Sequence, residues 1–156
     1  EVGGGVGALG IELLRAGAAR VVNVELSPAY EDEALALLRE RRLEERVERR
    51  VADAAAGELP QADVVVLHKV VCCYPDAAAL VAASARSARR ALALTFPRDT
   101  WWVRAVIRAI DVVLALRRRA YRAYAHSAAL VLGAATGMRV VHDAEDLVWR
   151  CVVLER

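Results

Sequence analysis

The sequence predicts an α/β fold: a doubly wound, mostly parallel sheet with helices on both faces and a C-terminal antiparallel hairpin. Three observations lead there. Short apolar runs alternate with helical stretches along the 156 residues, the pattern of strand–helix units on a parallel sheet. The run Val64-Val65-Val66-Leu67 is continuously apolar and rich in β-branched residues, as a strand covered on both faces requires. The last two strand-like segments, 139–142 and 148–154, are separated by a short gap at 143–146, which suits an antiparallel hairpin. With 57% hydrophobic residues the chain can build a sizeable core, and its length suits one domain, read here as 1–156.

The elements follow in order. Residues 7–16 read as a first helix, with Ala8, Leu9, Ile11 and Leu14 near helical spacing and Gly17 ending it. Residues 20–25 form a strand closing on Glu25. Ser27 caps and Pro28 opens a second helix that runs to Arg42, with Leu35, Leu38 and Leu43 on its buried side. A short strand at 47–52 ends before Asp53, and the strongest strand signal spans 62–68. An alanine-rich helix at 76–90 leads to a strand at 91–95. Residues 101–124 read as a long arginine-studded helical stretch with a wide apolar face, Trp102, Val103, Val106, Ile107, Ile110, Val113 and Leu114. A helix at 127–135 precedes the hairpin.

Composition excludes several function classes. Basic and acidic residues number 22 and 20, for a net charge of +2. No basic block stands free of acids except around Arg117, so no nucleic-acid partner is expected. Lys69 is the sole lysine. No window of about 18 apolar residues suggests a membrane span, and no secretory signal is recognised. Three cysteines, two of them adjacent, build no disulfide framework and no zinc spacing. A cytoplasmic protein without a metal is therefore expected, with Cys72 and Cys73 as buried fillers. Glu1 opens directly onto a glycine loop, which normally follows a buried strand. The chain is accordingly expected to be a fragment whose first strand is truncated to Glu1 and Val2.

That loop carries the chemistry. Glu1-Val2-Gly3-Gly4-Gly5-Val6-Gly7 sits between a strand and a helix. Glycine permits positive φ and a close approach of bare backbone to a ligand. The following helix offers unpaired N–H groups and a positive dipole end. Glu25 ends the next strand about 20 residues on, where an acid commonly accepts from ribose hydroxyls. Asp53 ends the third strand, where a carboxylate can accept from an adenine amine. All three positions fall at carboxyl ends of consecutive strands, the edge at which open α/β sheets bind ligands. Taken singly, the loop is also a tight turn, Glu25 a helix-entry charge and Asp53 a cap.

Gly5-Val6-Gly7-Ala8-Leu9-Gly10 also satisfies the dinucleotide pattern GxGxxG, so a nicotinamide-dependent oxidoreductase stands as an alternative. Against it, no Tyr-x-x-x-Lys pair exists, and the chain after Ala91 offers one parallel strand and a hairpin rather than a second nucleotide-binding half. A third alternative is a non-catalytic remnant whose truncated sheet is completed by another chain.

The loop, Glu25, Asp53 and the strand from Asp63 to His68 together resemble the class I S-adenosylmethionine-dependent methyltransferases. The stretch from Val66 to Asp76 resembles the fourth-strand segment of bacterial small-molecule enzymes of that class, and the closing hairpin matches their antiparallel last strand. The resemblance implies S-adenosylmethionine as cofactor and methyl transfer to a small, possibly hydrophobic acceptor. It implies that Gly3, Gly5 and Gly7 shape the pocket for the methionine part, with Glu1 near its amino group. Glu25 would hold the ribose, Asp53 and Ala54 would face the adenine, and His68 would line the methionine side and border the acceptor.

Methyl transfer from a sulfonium needs mainly alignment, and a base only if the acceptor must lose a proton. His68 and Tyr74 are weak candidates, with Asp99 after the fifth strand a third. His126 and His142 read as helix-surface and strand residues. The stretch 101–124, within a helical cover insertion at about 99–136, has three readings: a lid over a hydrophobic acceptor, a peripheral membrane contact through Arg117-Arg118-Arg119 and the tryptophans, or a core helix.

Overall fold

The computed structural model describes residues 1–117 and 122–156. The chain folds into α1 (Ala8–Arg15), β1 (Val21–Glu25), α2 (Glu31–Arg41), β2 (Val47–Val51), β3 (Ala62–His68), α3 (Ala77–Ser87), β4 (Ala88–Pro97), α4 (Trp101–Leu116), α5 (Ala128–Gly133), β5 (Arg139–Glu145) and β6 (Trp149–Glu155), with short 3-10 turns at Pro28–Tyr30 and Val71–Cys73.

Strands β1 and β2 pair in parallel, and a second sheet runs β3-β4-β6-β5. Its β3–β4 pair is parallel, while β6 lies antiparallel between β4 and β5. The two sheets meet at the segment preceding the glycine loop. Val2 bridges to Val24 in parallel, and its N–H donates to Val66 O at 2.9 Å on the other side. Gly3 N donates to Val24 O and Val24 N to Glu1 O, at 2.8 and 2.9 Å. Strand order across the molecule is therefore β2-β1-Val2-β3-β4-β6-β5. Beyond Val2 the sheets diverge around a cavity of about 580 Å³, lined by Leu13, Val21, Val22, Leu59 and Val64 among others.

The core is densest on β3, β4 and β6, where Val65, Leu67, Leu92, Leu94, Phe96, Val152 and Leu154 are buried with Leu80 and Val81 of α3 and Val131 of α5. Helix α1 packs on β1, and α3 against β3, β4 and α5.

Several boundaries differ from expectation. The alanine-rich helix stops at Ser87 because Ala88 pairs with Ala62 and is fully buried there; sheet pairing outweighs the helix preference of 88–90. The second helix opens with a 3-10 turn, its first amide taken by Ser27 Oγ at 3.3 Å. It buries Ala34 and Leu38, while Leu35 is exposed. The hairpin turns tightly at Asp146, whose Oδ1 accepts from Val148 N and Trp149 N at 2.8 and 2.6 Å, so β5 runs on to Glu145, longer than predicted, while β6 keeps its predicted length and shifts by one residue.

The larger correction concerns the predicted 101–124 helix. Helix α4 ends at Leu116, and Tyr124 and His126 lie in irregular chain. Tyr124 N donates to Cys72 O at 2.7 Å and His126 Nε2 to Tyr74 O at 2.9 Å, which pins this segment over the Val71–Cys73 turn. His126 is therefore no helix-surface residue. Only Val103 of α4 is buried; Val106, Ile110, Val113 and Leu116 are exposed, so the core-helix reading does not hold. Of the arginine triplet only Arg117 is described, and it is exposed.

Phe96 is 1% exposed near the carboxyl end of β4. Phe96→Ala should cost about 3–5 kcal/mol, as large core truncations do. Urea unfolding measures this, and a loss under about 1 kcal/mol would contradict the core described above.

Candidate functional site

The chain turns sharply three times between Val2 and α1, with Gly3, Gly5 and Gly7 at φ of 64°, 55° and 84°. Only glycine adopts such values cheaply. A Cβ on Gly3 would lie 2.2 Å from Val70 Cγ2. On Gly5 the nearest atoms would be those of the Tyr30 ring, 3.9 Å away, so its open side faces usable space.

That space is a crevice of about 400 Å³ at the carboxyl ends of β1, β2 and β3. Gly3, Gly5, Glu25, Asp53 and Ala54 all line it, as do Tyr30, Lys69, Val70, Cys73 and Tyr74. The structure thus brings together residues from three separate strand ends. The larger cavity between the sheets touches neither Glu25 nor Asp53.

Glu25 is buried and tied to the loop: Oε2 accepts from Gly5 N at 2.8 Å and Oε1 from Ser27 N at 2.9 Å. Each oxygen keeps a second acceptor direction. Asp53 accepts from Ala55 N at 2.9 Å, and both its oxygens accept from the Tyr74 hydroxyl, at 2.8 and 2.9 Å. These bonds hold the Asp53 carboxyl below its ordinary range. Partial burial, with Asp53 alongside, raises the Tyr74 phenol. Tyr74 is therefore a donor that orients Asp53, which disfavours it as a base.

Three predicted residues stand elsewhere. Glu1 turns away from the crevice: Oε2 accepts from Gly10 N in the first turn of α1 at 3.2 Å and from Asn23 Nδ2 at 3.0 Å. It works as a helix cap, with its carboxyl raised chiefly by burial. Gly7 also lies behind the crevice, packed towards Asn23 and Arg49. His68 is exposed just past the crevice, its Nδ1 3.3 Å from Thr95 Oγ1. Desolvation, with Lys69 next to it, lowers its pKa, which favours the neutral imidazole. Asp99 is held by Arg104 at 2.9 Å.

Sequence reasoning missed the supports. Arg49 on β2 donates to Gly5 O at 3.0 Å and to Glu31 Oε1 at 2.6 Å, clamping the loop to α2. An arginine in a short strand gives no such signal. Gly4 and Gly10 make room for the Glu1 carboxylate, which a Cβ on either would meet, at 2.3 and 2.9 Å. Lys69 has a φ of 58°, which costs a non-glycine residue about 1–2 kcal/mol. Its N–H donates to Thr95 O at 3.1 Å, and the thiols of Cys72 and Cys73 approach its carbonyl at 3.6 and 3.5 Å. The Cys72 thiol is pushed up by its contact with Cys73 and by burial, so it is no nucleophile.

The Asp53–Tyr74 pair predicts a pH signature. Asp53 is depressed from 3.8 and Tyr74 raised from 10.0. The pair's stability is thus full between those values, lost as pH falls through Asp53's folded pKa and lost again as pH rises through that of Tyr74. Tyr74→Phe should lower thermal stability at pH 7, with the gap to the parent closing below pH 4. An undiminished gap at pH 2.5 would contradict the pairing.

Comparison with known proteins bears on the family and the fold. Residues 1–94 match the family model described as a methyltransferase domain. Magnesium protoporphyrin IX methyltransferase from Synechocystis PCC 6803, solved with bound S-adenosylhomocysteine, is 25% identical; the alignment covers 99% of this chain and 71% of that one, with a TM-score of 0.76. Mitomycin 7-O-methyltransferase is 23% identical, covering 99% of this chain and 47% of its own, with a TM-score of 0.75. Geranyl diphosphate C-methyltransferase from Streptomyces coelicolor A3(2) shares the fold at 14% identity and a TM-score of 0.76, covering 99% and 70%. A search of curated protein sequences found no match. No helix among the described residues is long and apolar enough to cross a membrane. With more than half of its residues matched and the crevice in place, the chain belongs to the methyltransferase domain family, the S-adenosylmethionine-dependent class that its glycine loop and two acids resemble.

Proposed function

We propose that this chain binds S-adenosylmethionine across the crevice and directs its methyl group to a small, apolar-bodied acceptor. The observation that carries this reading is the single 400 Å³ space shared by Gly3, Gly5, Glu25 and Asp53. The residues present fit the cofactor. Bare backbone at Gly5 admits its methionine tail, the spare acceptor directions of Glu25 suit two ribose hydroxyls, and Asp53 and Ala54 flank a slot for the adenine. The cofactor supplies an activated methyl on a sulfonium.

The protein's own contribution is alignment and exclusion of water. Tyr30, beside Gly5, and Val70 form apolar walls of the crevice. For an acceptor that must lose a proton, neutral His68 at the end of β3 is the base we assign. The segment 99–136 is the acceptor's cover in this reading. The exposed apolar stripe of α4 supports it, because that stripe has no partner within the described chain. Cysteine usage favours a cytoplasmic enzyme.

Calorimetry with S-adenosylhomocysteine tests the reading directly. Saturable binding is expected, with NADH binding far more weakly; the reverse order would favour the oxidoreductase alternative. Glu25→Gln should weaken S-adenosylhomocysteine about 10-fold or more, the value of hydrogen bonds to a charged group. Thermal melting alongside separates this from loss of the loop's own bonds. Unchanged affinity in a folded variant would remove Glu25 from the ribose.

A further inference from the structure

At the edge of the crevice the chain holds a cation that the cofactor reading does not use. Lys69 follows β3 directly and is the sole lysine. Its stem lines the crevice, yet its ammonium lies 5.0 Å from the centroid of the Trp149 ring at the start of β6. Trp149 itself does not line the crevice. It pairs with Pro97 at the end of β4, four residues before α4 begins. The charge is thus carried away from the glycine loop, towards the edge where β3, β4 and β6 end beneath the segment leading to α4.

The ammonium has no carboxylate within ion-pairing distance among the described residues, whereas the neighbouring Arg98 is paired with Glu145 at 2.9 Å. Burial, and after it the charge of Lys69, lowers the pKa of His68, and Asp146, whose carboxyl is held low chiefly by the Trp149 and Val148 N–H groups, also feels that charge. Its backbone sits in the left-handed region, with its N–H bonded to Thr95 O and its carbonyl approached by the Cys72 and Cys73 thiols. The indole face keeps the ammonium in place without neutralising it. A cation with no ion-pair partner among the described residues, resting on an aromatic ring at the edge of the crevice, can receive an anion.

We propose that Lys69 is a specificity-determining residue that selects acceptors carrying a carboxylate, with Trp149 as the positioning residue that holds its ammonium. The inference rests on the methyltransferase reading and deepens it by naming the acceptor's class. The carboxylate is the recognition handle; the atom that receives the methyl group is a separate matter.

The test uses a matched pair of probes, 1-naphthoate and 1-naphthamide, which share a flat apolar body and differ in charge. Calorimetry on the full chain, with and without saturating S-adenosylhomocysteine, should show the acid binding at least 10-fold tighter than the amide. Lys69→Gln should bring the two within about 2-fold of each other, and Lys69→Arg should keep the preference. Trp149→Leu should reduce the preference without abolishing it. Because Lys69 borders the crevice, the affinity for S-adenosylhomocysteine, measured separately, should fall by less than the affinity for the acid in Lys69→Gln. Equal binding of acid and amide by the parent would overturn the proposal. So would a fall in S-adenosylhomocysteine affinity in Lys69→Gln as large as that for the acid, because Lys69 would then hold the cofactor's own carboxylate. Failure of S-adenosylhomocysteine to bind the parent would instead count against the cofactor reading, and the acid–amide comparison without it still decides the role of Lys69.

Discussion

Three residues join this molecule. Glu1, Val2 and Gly3 run between β1 and β3, and their backbone groups bond to Val24 on one side and Val66 on the other. A sheet needs a hydrogen-bonded neighbour at each interior edge, and among the described residues this short stretch of extended chain bonds to both parallel pairs. The glycine loop begins where that stretch ends. Its position over the strand tips, and so the existence of a crevice with Glu25 and Asp53, depends on those few bonds.

Around that joint the site is built in two layers. The inner layer is Gly3, Gly5, Glu25, Asp53 and Ala54 facing the crevice. The outer layer fixes it: Glu1 caps α1 from behind, Arg49 grips Gly5 O, and Tyr74 holds Asp53 with one hydroxyl. Each support is a charged or polar group in a partly buried place, where a hydrogen bond left unmade is expensive. The loop is thus rigid before any ligand arrives, which suits a reaction that depends on alignment more than on acid–base chemistry.

The acceptor side has a different character. Helix α4 turns an apolar stripe outward, and the segment from Tyr124 to His126 is tied down over the β3 end, with the two rings stacked 5.8 Å apart. Lys69, His68 and Trp149 gather at the ends of β3 and β6.

Much of this was legible in the amino-acid sequence. The β-branched run at Val64–Val66, the glycine spacing and acids placed after apolar runs are local patterns whose physical meaning does not depend on distant contacts. They determined the fold class, the elements and the line of Gly3, Gly5, Glu25 and Asp53. Long-range geometry decided the rest. Glu1 belongs to the α1 cap because the chain's path between the sheets places its side chain behind the loop. Ala88 is strand because Ala62 waits beside it. Tyr74 serves Asp53 from 21 residues away, and Lys69 meets Trp149 only because β6 inserts next to β4. Such contacts are set by how strands are ordered in space, and neither periodicity nor spacing along the chain encodes that order.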